Sequence, residues 1–126
     1  MCVNNNVTEW DALEARTVIP GFHGKFAHSA NMSFVMWDIE AGAILPEHSH
    51  PHEQVVHALE GSLEVTIDGE TSVLRGGMVG IIPPNAVHSG RALTDCRVMD
   101  AFYPLRDDYM DKSAPSLLQT AMGKSG

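Results

Sequence analysis

The sequence predicts a single all-β domain, an antiparallel sandwich or barrel, and three observations carry that expectation. Short apolar or alternating runs recur at close spacing between Thr17 and Tyr103. Gly, Pro and Asp-Gly punctuate them, and no long helical period intervenes. The chain has 126 residues, 44% of them hydrophobic, which is enough for one core and too little for two comfortable ones.

Met1 to Ala15 is polar and is expected to lie across the surface, with a short helical stretch at Glu9 to Arg16. Thr17 to Pro20 reads as a brief strand ended by Pro-Gly. The following GKFAHSANM holds another short extended piece and the turn-prone Ser29 to Asn31, which leaves His23 and His28 as loop residues. In Ser33 to Ile39, Phe34 and Met36 alternate with Val35, Trp37 and Ile39. Both faces are apolar, as in a strand pressed between an interior and a second layer. Val55 to Leu59 is a strand that carries His57, Glu60-Gly61 is a turn, and Ser62 to Ile67 alternates strictly with Leu63, Val65 and Ile67 inward. Asp68-Gly69 is the preferred two-residue loop of a type I′ hairpin and pairs that strand with Glu70 to Leu74. Arg75-Gly76-Gly77 turns again and Met78 to Ile82 is a strand. Pro83-Pro84-Asn85 makes a rigid turn, and Val87 to Gly90 leads into Arg91 to Leu93. Arg97 to Tyr103 is the last strand, ended by Pro104, and weak helical character follows at Leu117 to Met122. The expected organisation is an N-terminal surface segment with the first strands (1–30), a barrel (31–109) and a tail (110–126).

A formal net charge of −8 and a pI near 5.2 repel nucleic-acid phosphates and anionic membrane surfaces, so neither is an expected partner. Cys2 and Cys96 form neither a CxxC pair nor a disulfide framework and read as two reduced thiols. The N-terminus lacks a basic start and an apolar core, and no run reaches the length of a membrane span. A soluble cytoplasmic protein is expected.

The chemistry concentrates in Gly42 to Gly61, GAILPEHSHPHEQVVHALEG, which holds four of the seven histidines. His48, His50 and His52 alternate and Gln54 shares their parity, so an extended strand would project all four from one face toward a metal. The same pattern also suits a solvated histidine cluster, and a second segment has to agree. His88, after the turn-forming PPNAV, supplies it. Glu53 competes with Gln54 as the oxygen ligand, favoured by charge and opposed by parity, and Pro51 can shift that parity. His52 is either an outer ligand or an exposed histidine. Asp100, on an otherwise apolar strand, needs a partner or a task. It forms an ion pair with Arg97 or Arg106, or it transfers protons beside the metal while Phe102 forms a wall and Arg106 grips a carboxylate bidentately.

These segments resemble the cupin superfamily. Its first motif runs Gly, five residues, His-x-His, three or four residues, Glu, six residues, Gly. Gly42, His48, His50, Gln54 and Gly61 stand at those places, with Gln for Glu. Gly77, Pro83 and His88 match the second motif, where Asn85 replaces a Gly and Ala92 an Asn. The resemblance implies a double-stranded β-helix, the jelly-roll barrel. Asp100-x-Phe102-x-Pro104-x-Arg106, read with HSHPHEQ and IPPNAVHSG, is similar to the KdgF-type pectin-degradation cupins. Those proteins linearise cyclic 4,5-unsaturated monouronates by ring opening and enol-to-ketone tautomerisation. The likeness implies one divalent transition metal (Ni, Mn, Fe, Co or Zn) at His48, His50, Gln54 and His88. It also implies catalysis by Asp100 and Arg106 and substrate contacts from Phe102 and Arg106. Apart from the likeness, Lys25 is a second cation for the carboxylate or a solvated side chain, and His52, next to the site, is a further candidate contact. The expected partners are a small anionic sugar acid or other carboxylate and a second copy of the chain, in a homodimer. A metal-dependent dioxygenase of a small organic acid and a non-catalytic binding module are the other functions such a site permits.

Overall fold

Two antiparallel sheets pack face to face as a jelly roll, and the alternation of each strand decides which side chains meet between them. The computed structural model of the chain describes residues 6–110. Across the larger sheet run β1 (Arg16–Ile19), β2 (Phe22–His28), β3 (Ser33–Ile39), β10 (Cys96–Tyr103), β5 (Glu53–Glu60) and β8 (Val79–Ile82), in that order. The smaller sheet is ordered β4 (Ile44–His48), β9 (His88–Ala92), β6 (Ser62–Ile67), β7 (Glu70–Arg75).

The interior is filled from both sides, by Val35, Trp37 and Ile39 of β3, Val56 and Ala58 of β5, Leu63 and Val65 of β6, and Val98 and Phe102 of β10. Each such burial contributes roughly 1.5–3 kcal/mol for a Val- to Phe-sized side chain. Trp37 takes Phe22 and Phe26 edge-on, with ring centres 5.9 and 5.7 Å away. On the outer face of β3, Phe34 and Met36 are half-buried and Asp38 is exposed, so this strand is not enclosed on both sides.

The Asp68-Gly69 loop has φ of 47° and 86°, the positive pair that a type I′ turn needs, and Ile67 stands opposite Glu70. The turn also reaches across to the segment before His88: Asp68 N donates to Val87 O at 2.8 Å, and Val87 N donates to Asp68 Oδ1 at 3.2 Å. In the Pro83-Pro84-Asn85 turn, Asn85 has φ 66° and its N–H donates to His50 O at 2.8 Å. This bond ties the two histidine-bearing segments together.

Several local expectations are corrected. The helical stretch at Glu9 to Arg16 is only a 3₁₀ helix at Trp10–Ala12, and Arg16 already belongs to β1. His23 and His28 are strand residues of β2 rather than loop residues. His48 to Gln54 is not one strand: β4 ends at His48, residues 49–52 cross between the sheets, and β5 starts at Glu53. A helical turn, α1 (Asp107–Met110), follows β10. Cys2 and the helical tendency at Leu117 to Met122 lie outside the described residues. Among the described residues, no helix is long and apolar enough to cross a membrane.

Candidate functional site

His48 and His88 are opposed residues of the β4–β9 ladder, so both issue at the same level of the smaller sheet, with ring centres 4.2 Å apart. The crossing segment brings in His50. One ring nitrogen from each of the three lies within 4.8 Å of the others, and all three side chains are buried. Gln54, the second residue of β5, is buried with Oε1 3.1 Å from His50 Nε2, while Glu53 faces solvent. Burial alternates through His48, His50, His52 and Gln54 even though the backbone between them is not a strand.

Each imidazole is oriented by a carbonyl two residues away. The Nδ1 atoms of His48, His50 and His88 lie 2.8, 3.1 and 2.8 Å from Pro46 O, His52 O and Ala86 O. A carbonyl only accepts, so Nδ1 carries the proton and the Nε2 lone pair is left for a metal. His88 Nε2 is buried with no protein partner. His50 Nε2, with its lone pair, faces the Gln54 carbonyl oxygen, which places two acceptors together where a cation would satisfy both. Burial, and then the neighbouring His88 and Arg106 among others, lowers His48 to about 4; burial, Arg106 and the other histidines lower His50 to about 3. His88 is lowered too, by burial first. Neutral imidazoles are therefore available at pH 7, and the three buried histidines can hold a metal ion.

Asp100 and Phe102 reach the same cavity from β10, and Arg106 from the segment beyond it. The space between the lining atoms is about 560 Å³, open solvent at the mouth included, of which about 50 Å³ is cavity proper. Asp100 pairs with neither arginine. Arg97 binds Asp38 on the surface at 3.0 Å, and Arg106 binds Asp108. Asp100 Oδ2 instead accepts a 2.9 Å hydrogen bond from Trp37 Nε1, and Oδ1 makes none. Burial pushes Asp100 up to about 6, with the nearby Gln54 and Trp37 side chains and the Arg106 charge pulling the other way. Phe102 is 2% exposed and stands edge-on to His50, with ring centres 5.8 Å apart. The bidentate grip expected of Arg106 is already engaged inside the chain: Nε and Nη2 donate to Asp108 at 3.0 and 2.7 Å.

Two of the expected substrate contacts stand elsewhere. Lys25 is opposite Met36 on the outer side of β2, 3.9 Å from Asp11, and does not border the cavity. His52 is buried beside His50 and Phe102, but its ring is outside the ligand cluster, and its carbonyl is what orients His50. Sequence reasoning missed Trp37, which reads only as core, and Asp108, whose single signal is its position two residues after Arg106.

The comparisons with known proteins agree with this fold. Residues 35–102 match the cupin domain family. The pectin degradation protein KdgF of Dickeya dadantii is 32% identical over 84 residues, which is 65% of this chain and 76% of that protein. The structure of KdgF from Halomonas sp. superposes with a TM-score of 0.75 at 31% identity, covering 79% of this chain and 93% of that one. An RmlC-like cupin from Shewanella frigidimarina gives 0.79 at 25% identity, over 84% and 96% of the two chains.

Proposed function

The chain belongs to the cupin family as a KdgF-like member, and on that premise we propose that it opens cyclic 4,5-unsaturated uronates from pectin or alginate breakdown into linear keto sugar acids. The observation that carries the reading is the pairing, across one cavity, of a neutral donor set with a buried carboxyl whose pKa is raised to about 6. A group poised near the working pH can both take and return a proton.

The reaction is an isomerisation with no redox change. Asp100, as carboxylate, takes the proton of the anomeric hydroxyl as the ring C–O bond breaks and the ring oxygen leaves as an enolate. As acid it returns a proton to the ring carbon when the enolate becomes a ketone, which restores the starting state. Trp37 holds Oδ2, so Oδ1 is the oxygen that exchanges the proton. Arg106 meets the substrate carboxylate, and Phe102 walls the cavity against water. His48, His50, Gln54 and His88 would hold a divalent transition metal, which would supply Lewis acidity favouring an oxyanion beside it. The four side chains are uncharged, so such a centre would attract anions despite the acidic surface.

Purified protein mixed with a 4,5-unsaturated uronate should accelerate the loss of its ultraviolet absorbance, and a chelator should remove the acceleration. No acceleration with metal restored would sink the proposal, and oxygen uptake with a small organic acid would replace it with a dioxygenase. We also propose pairing with a second copy through the outer face of the larger sheet. Ile81, Val55, Ala101 and Phe34 line up there in register, and Val79 and Ile81 of the edge strand are about half exposed, at 51% and 54%. Light scattering should then give twice the 13.7 kDa chain mass.

A further inference from the structure

We infer that Asp108 is a positioning residue for Arg106, and that it leaves the cavity a single guanidinium nitrogen, Nη1, with which to meet a carboxylate. The inference rests on the reading above for the ligand class. Arg106 is 2% exposed, and its Nε and Nη2 donate in parallel to the two oxygens of Asp108, itself only 9% exposed. The guanidinium also packs on two aromatic rings, with its carbon 4.8 Å from the Phe102 ring centre and 4.2 Å from that of Tyr109. The backbone is anchored too: Arg106 N donates to Ser33 Oγ at 2.8 Å.

Plane, fork and backbone are thus fixed by contacts within the chain. Nη1 remains, buried and without a hydrogen-bond partner, on a residue that borders the cavity. A buried donor left unsatisfied costs free energy, and an anionic oxygen entering the cavity would relieve that cost. Arg106 therefore acts as a donor of preset direction. Asp108 sets the direction through the other two nitrogens and offsets the buried positive charge while no ligand is bound. A lysine at 106 would have neither the fork nor the plane.

The test is a double-mutant cycle with Arg106→Ala, Asp108→Asn and the pair. It is read as affinity for D-galacturonate, a saturated uronate used as a non-reacting probe, and as kcat/KM on the unsaturated uronate. Asp108→Asn should weaken galacturonate roughly tenfold, the scale of one charge-assisted hydrogen bond. The double variant should be no worse than Arg106→Ala alone. Added guanidinium should rescue Arg106→Ala but not the double variant, which lacks the carboxylate that seats it. Additive losses, equal rescue of both, or a variant that melts lower while affinity stays at the wild-type value would each overturn the inference. Should Asp108→Asn fail to fold, Asp108→Glu keeps the charge, displaces the fork and is expected to show the same loss. The Arg106 Nε–H resonance reports the clamp without ligand: slow exchange in the wild type and fast exchange in Asp108→Asn supports it, and equal exchange overturns it. If the wild type binds galacturonate and turns nothing over, the reaction assigned above falls while the affinity cycle still decides the role of Asp108.

Discussion

The two walls of the cavity are built on different plans. On the histidine wall every imidazole is aimed by a backbone carbonyl two residues away, so its orientation is a property of the local chain. On the opposite wall the chemistry is held from a distance, with Trp37 reaching Asp100 across 63 residues of sequence and Ser33 reaching the Arg106 backbone across 73. The aim of each ring is therefore set as its own turn forms, while bringing His88 to His48 still needs the β4–β9 ladder. The other wall needs the pairing of distant strands for aim and position alike.

The largest effect that separates them is loss of a ligand. His48→Ala or His88→Ala should leave the purified protein with little bound metal by elemental analysis. It should also lower kcat/KM by more than the roughly hundredfold that outer-shell losses cost. Asp100→Asn should act on the other wall alone, with full metal content, an unchanged melting temperature or a slightly higher one, and kcat down by roughly 10² to 10⁴. Parallel loss of metal in Asp100→Asn would mean that the walls are not independent.

Acid provides the next effect. His48 titrates near 4 in the folded chain against about 6.5 when unfolded, so below pH 6.5 the unfolded chain takes up the proton first and stability falls until about pH 4. For His48 alone the loss at pH 5 is about 2 kcal/mol in the metal-free protein, and His50, lowered further, adds to it. Thermal melts of metal-free protein at pH 7 and 5 should show it, and a loss confined to pH values below 4 would contradict the buried neutral state. The smallest effect is expected from Trp37→Phe. Removing an N–H that favours the ionised carboxyl moves the Asp100 pKa above about 6, so the ascending limb of the pH–rate profile should shift to higher pH while kcat falls by about tenfold or less.

The same contrast explains what could be read in advance. The spacing of His48, His50, Gln54 and His88 was visible because turns and parity are written in neighbouring residues, and the Asp68-Gly69 hairpin was visible for the same reason. Strand parity also put Asp100 and Phe102 on one face of β10. Their partners were not legible. Choosing among Arg97, Arg106 and Trp37 for Asp100 requires the sheet order β2-β3-β10-β5, which depends on which distant strands pair. The place of Lys25, carboxylate contact or solvated side chain, was left open by the same gap, since only the register with Met36 shows that it faces outward. β4 was hidden because Pro46 and Glu47 interrupt its apolar run and Ile44 is exposed, so it has almost no alternation to display.

Gly24 of β2 carries this dependence one strand further. A methyl group built on it would come within 2.7 and 2.9 Å of Trp37 ring carbons and 3.1 Å of Val35, closer than side chains tolerate. The indole would have to retreat, and with it the N–H that meets Asp100. The reactivity of the carboxyl is therefore tuned by a hydrogen atom at residue 24, eleven positions before the family's match to this chain begins. Two proteins with the same histidines and the same Asp could differ in working pH simply because one of them has an alanine there.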